Sequence, residues 1–306
     1  MKYLRKYTLS RPINLNLTLY PSFNLVLLDR IDENKYLKVI GKDSGKLLTV
    51  ISPTEIISDI SEKLMHYLTG EWFYPEKYMA YLKGRLLKIV KAIISRYSEV
   101  SLSVNPFDRV YMFISIFLSK TTNFHVNVIK WCKRIWKVSE GDISRILRID
   151  MKVIGNSFQL KQLPRALSDY LKYVKPYEED LTRDSWDIRK QLLKCWGCGP
   201  KIADAYLLFV AVDEMSVPCD KHLVTMVNRL DLVSYSKLPQ KNYCLKNTCI
   251  ECPLAEECLR SVFVKTFGRL SGWLQTIFYI HDKLYCKKGL CRECFLAEYC
   301  KKTETR

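Results

Sequence analysis

Two side chains in this 306-residue sequence stand in surroundings suited to covalent chemistry, Lys201 and Asp220. One offers an amine, and the other offers a carboxylate 19 residues further on. An amine is a nucleophile only when unprotonated. Lowering a lysine from ~10.4 to ~7.5 costs about 4 kcal/mol of ammonium destabilisation. Burial beside an apolar helix can supply it. A nearby carboxylate would stabilise a developing cation and carry protons. Plainer roles compete. Lys201 could be a phosphate contact, and Asp220, in Pro218-Cys219-Asp220-Lys221-His222, could be a helix N-cap. For Asp220 the two roles are compatible.

The elements around this pair follow from local pattern. Trp186, Ile188, Leu192 and Leu193 form a rough helical stripe that ends at Cys195. Gly197 and Gly199 allow positive φ and close approach of another backbone. Pro200 suits the first position of a helix, because its missing N–H would be unpaired there anyway. A mostly apolar helix then runs to about Val212. The N–H groups from Gly199 to Ile202 point outward at the positive end of that helix, which makes a phosphate site. Such a site reads backbone rather than base sequence. A glycine turn between helices is by itself equally well explained as an ordinary helix corner.

Context adds what geometry leaves open. The segment GCGPKIAD through VPCDKH resembles, without gaps, that of the 8-oxoguanine DNA glycosylases of the helix-hairpin-helix superfamily. In that family and in endonuclease III, the lysine matching Lys201 is the Schiff-base nucleophile. The aspartate matching Asp220 is the essential carboxylate. Alkylated-base glycosylases of the superfamily lack the lysine. The resemblance therefore implies a bifunctional DNA glycosylase and AP lyase of base excision repair. Such an enzyme flips a damaged, oxidised base from double-stranded DNA, attacks C1′ through Lys201, and nicks the strand by β-elimination. Gly197, Gly199, Pro200 and Ile202 would then touch DNA. Two other readings stand beside it: a monofunctional glycosylase for deaminated or alkylated bases, and a non-catalytic iron–sulfur protein that binds nucleic acid.

Eight of the 12 cysteines form two runs. Cys244, Cys249, Cys252 and Cys258 make the first, and Cys286, Cys291, Cys294 and Cys300 the second. Both read C-x4-C-x2-C-x5-C, offset by 42 residues, and IECPLAEEC echoes RECFLAEYC. This is an internal repeat of a metal loop. Four thiolates suit a [4Fe–4S] cluster. Zinc also takes four cysteines, more often as two C-x2-C pairs, and each run has one. No signal peptide or transmembrane run is visible, so a reducing, intracellular compartment is expected and disulfides rank last. The order of preference is two [4Fe–4S] clusters, then zinc in one or both sites. Trp273–Cys286 resembles the helix leading into the cluster of endonuclease III, although the first gap here is four residues and that family has six. The first run is an addition to the family pattern. In the second loop, Lys287, Lys288 and Arg292 are candidate DNA contacts. Cys132, Cys195, Cys198 and Cys219 read as packing residues.

The formal charge is +17, from 49 basic and 32 acidic residues. Two four-thiolate sites at about −2 each leave it near +13. That excess fits a polyanion partner. No lipidation signal or long basic amphipathic helix points to a membrane, and a monomer is expected.

The organisation reads as α+β. A small antiparallel sheet is expected over residues 1–58, from alternation in Ile13–Leu19 and strand-like runs at Phe23–Leu28, Lys35–Ile40 and Lys46–Ile51. From about Pro53 onward the pattern reads as helical. Residues 59–104 with 213–306 make one helical domain carrying the cysteine loops, and 105–212 make another carrying the hairpin. Met79–Tyr97 is basic and amphipathic, and Asp108–Lys120 reads as a central buried helix. The order of the N-terminal segment, with TLYPSFNL, resembles that of the 8-oxoguanine and 3-methyladenine glycosylases. Three departures matter. Phe23-Asn24-Leu25 stands where those carry phenylalanine-arginine-tryptophan. The glycine with which the 8-oxoguanine glycosylases sense the oxidised base is not evident near Tyr20-Pro21. Lys120, a further candidate DNA contact, stands where the family has a glutamine or asparagine that fills the gap left by the flipped base.

Overall fold

The computed structural model describes residues 4–178 and 184–301. Its N-terminal part is an antiparallel sheet of β1 (Arg5–Thr8), β2 (Leu28–Asp32), β3 (Lys35–Lys38), β4 (Leu47–Ser52) and β5 (Glu55–Ser58), in spatial order β1-β5-β4-β3-β2. The alternating segment is not a strand. Asn14 accepts from the Leu17 N–H at 2.9 Å and caps a short helix, α1 (Leu15–Leu19). Leu15 and Leu19 are four apart, so they fit a helical stripe as well as an alternating one. Phe23–Leu27 is likewise a 3-10 turn, and the strand begins only at Leu28. The cause is Asn24. Its buried amide donates to Ser103 Oγ at 3.0 Å and to the Val104 carbonyl at 3.1 Å, and accepts from Asn105 Nδ2 at 3.0 Å. That binds the turn to residues 103–105 instead of a strand ladder. β5 also falls within the stretch that read as helical.

Helices follow: α2 (Glu62–Leu68), α3 (Gly84–Arg96), α4 (Arg109–Leu118), α5 (Ile129–Ser139), α6 (Ile143–Arg148), α7 (Phe158–Tyr173), α8 (Lys175–Glu178), α9 (Ser185–Lys194), α10 (Pro200–Phe209), α11 (Lys221–Leu230), α12 (Lys241–Cys244), α13 (Leu259–Phe267) and α14 (Ser271–Leu284). The fold is thus α+β and mainly helical. α4 is the central helix, buried from Met112 to Leu118 and packed on α7 and α10. The sheet has its own small core with α1 and α2, including Leu19, Leu48, Ile56 and Leu64. A buried ion pair fixes the sheet to the start of α4. Lys38 Nζ lies 2.8 Å from Asp108 Oδ2, and Asp108 Oδ1 accepts from the Lys42 N–H at 2.6 Å. Removing one partner of such a pair costs about 3–5 kcal/mol. Among the described residues no helix is long and apolar enough to cross a membrane.

Candidate active site

α9 and α10 form the helical hairpin. Asp184 caps α9, accepting from the Asp187 N–H at 3.0 Å. Gly197 is left-handed, with φ +69°, and a Cβ there would sit 2.9 Å from Lys120 Nζ. Gly199 differs from expectation. Its φ of −115° is open to any residue, and a Cβ would meet nothing within 4 Å. Its bareness leaves room for something outside the chain. Among the described residues the backbone N–H groups of Gly199 and Lys201 have no partner, whereas that of Ile202 is taken by the Gly199 carbonyl at 3.0 Å. The anion-binding end is therefore narrower than the sequence suggested.

The hairpin opens onto a cavity of about 840 Å³. One wall is the first turns of α10, with Gly199, Pro200, Lys201 and Ile202. Facing it are Asp220 and His222 at the start of α11 and a stripe of α14, with Pro21, Phe23 and Ser119–Phe124 completing the rim. Lys201 and Asp220, 19 residues apart in sequence, thus share one space. Burial holds the Lys201 ammonium below the usual lysine range; Asp220 pulls it back up and Lys221 adds to the drop. Lys201 Nζ has no hydrogen bond or ion pair among the described residues. Asp220 is an N-cap. Its Oδ1 accepts from the N–H groups of His222 at 3.0 Å and Leu223 at 2.9 Å. This leaves Oδ2 available.

Lys120 also lines the cavity, but its amine is engaged. It donates to Gln162 Oε1 at 2.8 Å and to the Gly197 carbonyl at 3.3 Å, and sits 3.6 Å from the Phe117 ring centre. It braces the hairpin turn. Sequence reasoning missed several wall residues. His222 Nδ1 lies 2.6 Å from Asp282 Oδ2, and Tyr279 meets the His222 ring edge-on at 4.6 Å. Gln275 is buried, and its side chain lines the cavity with no hydrogen-bond partner among the described residues. Gln275, Tyr279 and Lys283 recur every four residues along α14, so a helical stripe facing the cavity was the available signal. Phe23 packs edge-on against Phe209 at 5.2 Å and Phe124 at 5.3 Å, giving the cavity an aromatic lining. Cys219 lines the cavity too, and burial pushes its thiol well up, away from thiolate chemistry.

No protein-family model matches the sequence, and no curated protein matches it. Solved structures do. The 8-oxoguanine glycosylase/lyase of Clostridium acetobutylicum, in complex with double-stranded DNA containing cytosine opposite 8-oxoG, superposes with a TM-score of 0.62 at 15% identity, covering 87% of this chain and 91% of its own. MBOgg1 in complex with a low-affinity DNA ligand gives 0.63 at 16%, covering 90% and 93%. The 3-methyladenine DNA-glycosylase of Archaeoglobus fulgidus gives 0.63 at 13%, covering 92% and 99%. The chain has the fold of the helix-hairpin-helix glycosylases.

On this glycosylase fold the two cysteine runs occupy different places. Cys244, Cys249, Cys252 and Cys258 line one small cavity together with Arg189 and Arg260. Arg260 Nη1 donates to Cys249 Sγ at 3.0 Å, and Arg189 Nη2 to Cys244 Sγ at 3.7 Å. The second run follows α14. There Cys294 Sγ lies 3.3 Å from His281 Nε2, and the Arg229 guanidinium lies close enough to Cys286 to favour its thiolate. Among the described residues no three side chains are drawn into a metal-ligand arrangement. The chemistry of the donors nonetheless fits an anionic four-thiolate group at each place, because guanidinium groups point at the sulfurs. Lys287, Lys288 and Arg292 are all exposed, and Lys287 Nζ lies 3.6 Å from Asp282 Oδ2.

Proposed function

We propose that this chain is a bifunctional DNA glycosylase and AP lyase acting on a damaged, oxidised base in double-stranded DNA. The observation that carries this reading is the meeting of Lys201 and Asp220 at one cavity beside the hairpin, with the lysine amine held by burial below its ordinary range. A flipped base would enter over Phe23 and Tyr279. As Lys201 Nζ bonds to C1′, the glycosidic bond breaks and the base leaves with a proton. Asp220 faces the developing positive charge. Ring opening gives the imine, loss of a C2′ proton expels the 3′ phosphate, and water then releases the amine. The hairpin amides of Gly199 and Lys201 take a backbone phosphate.

In this reading each cysteine run holds a [4Fe–4S] cluster, through Cys244, Cys249, Cys252 and Cys258 and through Cys286, Cys291, Cys294 and Cys300, with zinc as the alternative occupant. Four cysteine ligands leave no open position, so the groups are structural. The enzyme works as an intracellular monomer.

A second reading, a monofunctional glycosylase for deaminated or alkylated bases, is favoured by the likeness to the 3-methyladenine DNA-glycosylase. Borohydride trapping on a panel of lesion duplexes, run beside base release, tests both. A trapped adduct with base release supports the bifunctional enzyme. Base release without an adduct supports the second reading. Neither signal on any lesion leaves only nucleic-acid binding.

A further inference from the structure

Asp204 lies one helical turn beyond Lys201 on α10 and is buried. Two guanidinium groups share its carboxylate. Arg189, on the other helix of the hairpin, approaches Oδ1 at 2.7 Å and Oδ2 at 3.1 Å. Arg260, on α13, approaches Oδ1 at 2.8 Å. Both cations also lie over the Trp186 ring, at 5.3 and 4.9 Å. Among the described residues Asp204 is the one carboxylate paired with either arginine. Two positive charges against one negative leave a buried excess. Beyond Asp204, the same two guanidinium groups reach the sulfurs of Cys249 and Cys244. A buried charge without a counter-charge is costly.

A second contact joins the same two places. Pro239 borders both the small cysteine cavity and the 840 Å³ cavity, and its neighbour Leu238 lines the latter. The chain entering the first cysteine loop is thus also a wall of the candidate active site.

We propose that the first cysteine loop, residues 244–258, is a clasp for the catalytic hairpin. With its four cysteines ligating a metal centre, Cys249 fixes Arg260 and Cys244 fixes Arg189, and these fix Asp204 and so the first turns of the helix that carries Lys201. Arg260 is a positioning residue. This rests on the metal reading of that loop, but not on the identity of the base or on lyase activity.

The test uses purified full-length protein. Iron and zinc per chain are measured beside backbone hydrogen exchange for wild type, Cys249→Ser, Arg260→Leu and Arg260→Lys. Cys249→Ser should lose the metal of one loop, and amides over 191–209 should exchange at least ten-fold faster, with those of α14 unchanged. Arg260→Leu should keep the metal and show the same loosening. Arg260→Lys should recover part of the protection, since an ammonium can hold Asp204 or Cys249 but not both in Arg260's geometry. Loss of metal with unchanged exchange over 191–209 overturns the clasp and leaves the metal reading standing. Unchanged metal in Cys249→Ser overturns both. If Cys249→Ser does not fold, Arg260→Leu decides, and unaltered exchange in that variant overturns the proposal. Borohydride trapping on the same samples reports separately on the proposed activity.

Discussion

Asp220 Oδ1 accepts the Leu223 N–H at 2.9 Å, while the second carboxylate oxygen has no hydrogen-bond partner among the described residues. The same side chain therefore caps α11 and keeps an oxygen for the cavity. Asn caps a helix about as well as Asp. Asp220→Asn thus removes the charge and keeps the cap. Base excision should fall by roughly 10²-fold or more, the scale seen when one preorganised electrostatic partner is lost. Stability should change by less than ~0.5 kcal/mol. Excision within a few-fold of wild type would reduce Asp220 to a cap.

The pair also sets a pH dependence. Burial lowers the Lys201 pKa, and the Asp220 carboxylate opposes that shift by favouring the ammonium. Only the free amine forms an imine, so trapping on abasic-site DNA should rise with pH through a midpoint below that of an ordinary lysine. Asp220→Asn deletes the influence that raises the pKa. The rising limb should then move to lower pH. A limb that stays put or moves to higher pH would show that Asp220 does not act on Lys201.

Much of this site was legible because its parts are local. Gly197, Pro200 and Lys201 sit within one turn and a helix start, and the N-cap position of Asp220 follows from its immediate neighbours. The two four-cysteine runs stand out by spacing alone, and the first of them lines one small cavity. What escaped was set by distant contacts. Ile13–Leu19 alternates on paper, but Asn14 caps it into a helix, and Leu15 and Leu19 suit either period. Phe23–Leu27 was diverted by the bonds of Asn24 to residues 103–105. Gly199 is free to take positive φ but does not, and instead leaves open space. The roles of Asp204, Arg189 and Arg260 depend on three helices meeting, which no single window of sequence contains.

Lys201→Gln tests the nucleophile. Gln removes the amine and keeps much of the length, and Nζ has no hydrogen bond to lose among the described residues. Imine trapping and strand cutting should vanish, with lesion-DNA affinity within a few-fold of wild type. An undiminished borohydride adduct would move the nucleophile elsewhere.

Metal analysis tests the repeat. Two [4Fe–4S] clusters require about eight irons per chain. Anaerobically purified protein should approach that value, or show one equivalent of zinc for each cluster replaced. Cys291→Ala should halve the iron by emptying the second loop alone. Four irons and no zinc in the wild type would contradict a two-site protein.

The second loop offers a different kind of contact. Lys287, Lys288 and Arg292 are exposed on a short segment anchored to the end of α14. Each phosphate neutralised by a cation releases counterions, so affinity depends on salt with a log–log slope of ~0.9 per contact. If all three residues meet DNA, replacing them with alanine should reduce the slope by about 2.7 units. Lesion and undamaged duplexes should weaken together, because phosphate contacts carry no base information. Lys287 faces a competitor, since Asp282 lies 3.6 Å away and is itself held by His222. A reduction nearer ~1.8 units, matched by a Lys288 and Arg292 double variant, would assign Lys287 to Asp282 and the other two to DNA. An unchanged slope in the triple variant would place this loop off the DNA, with its lysines and arginine serving only the solvated surface.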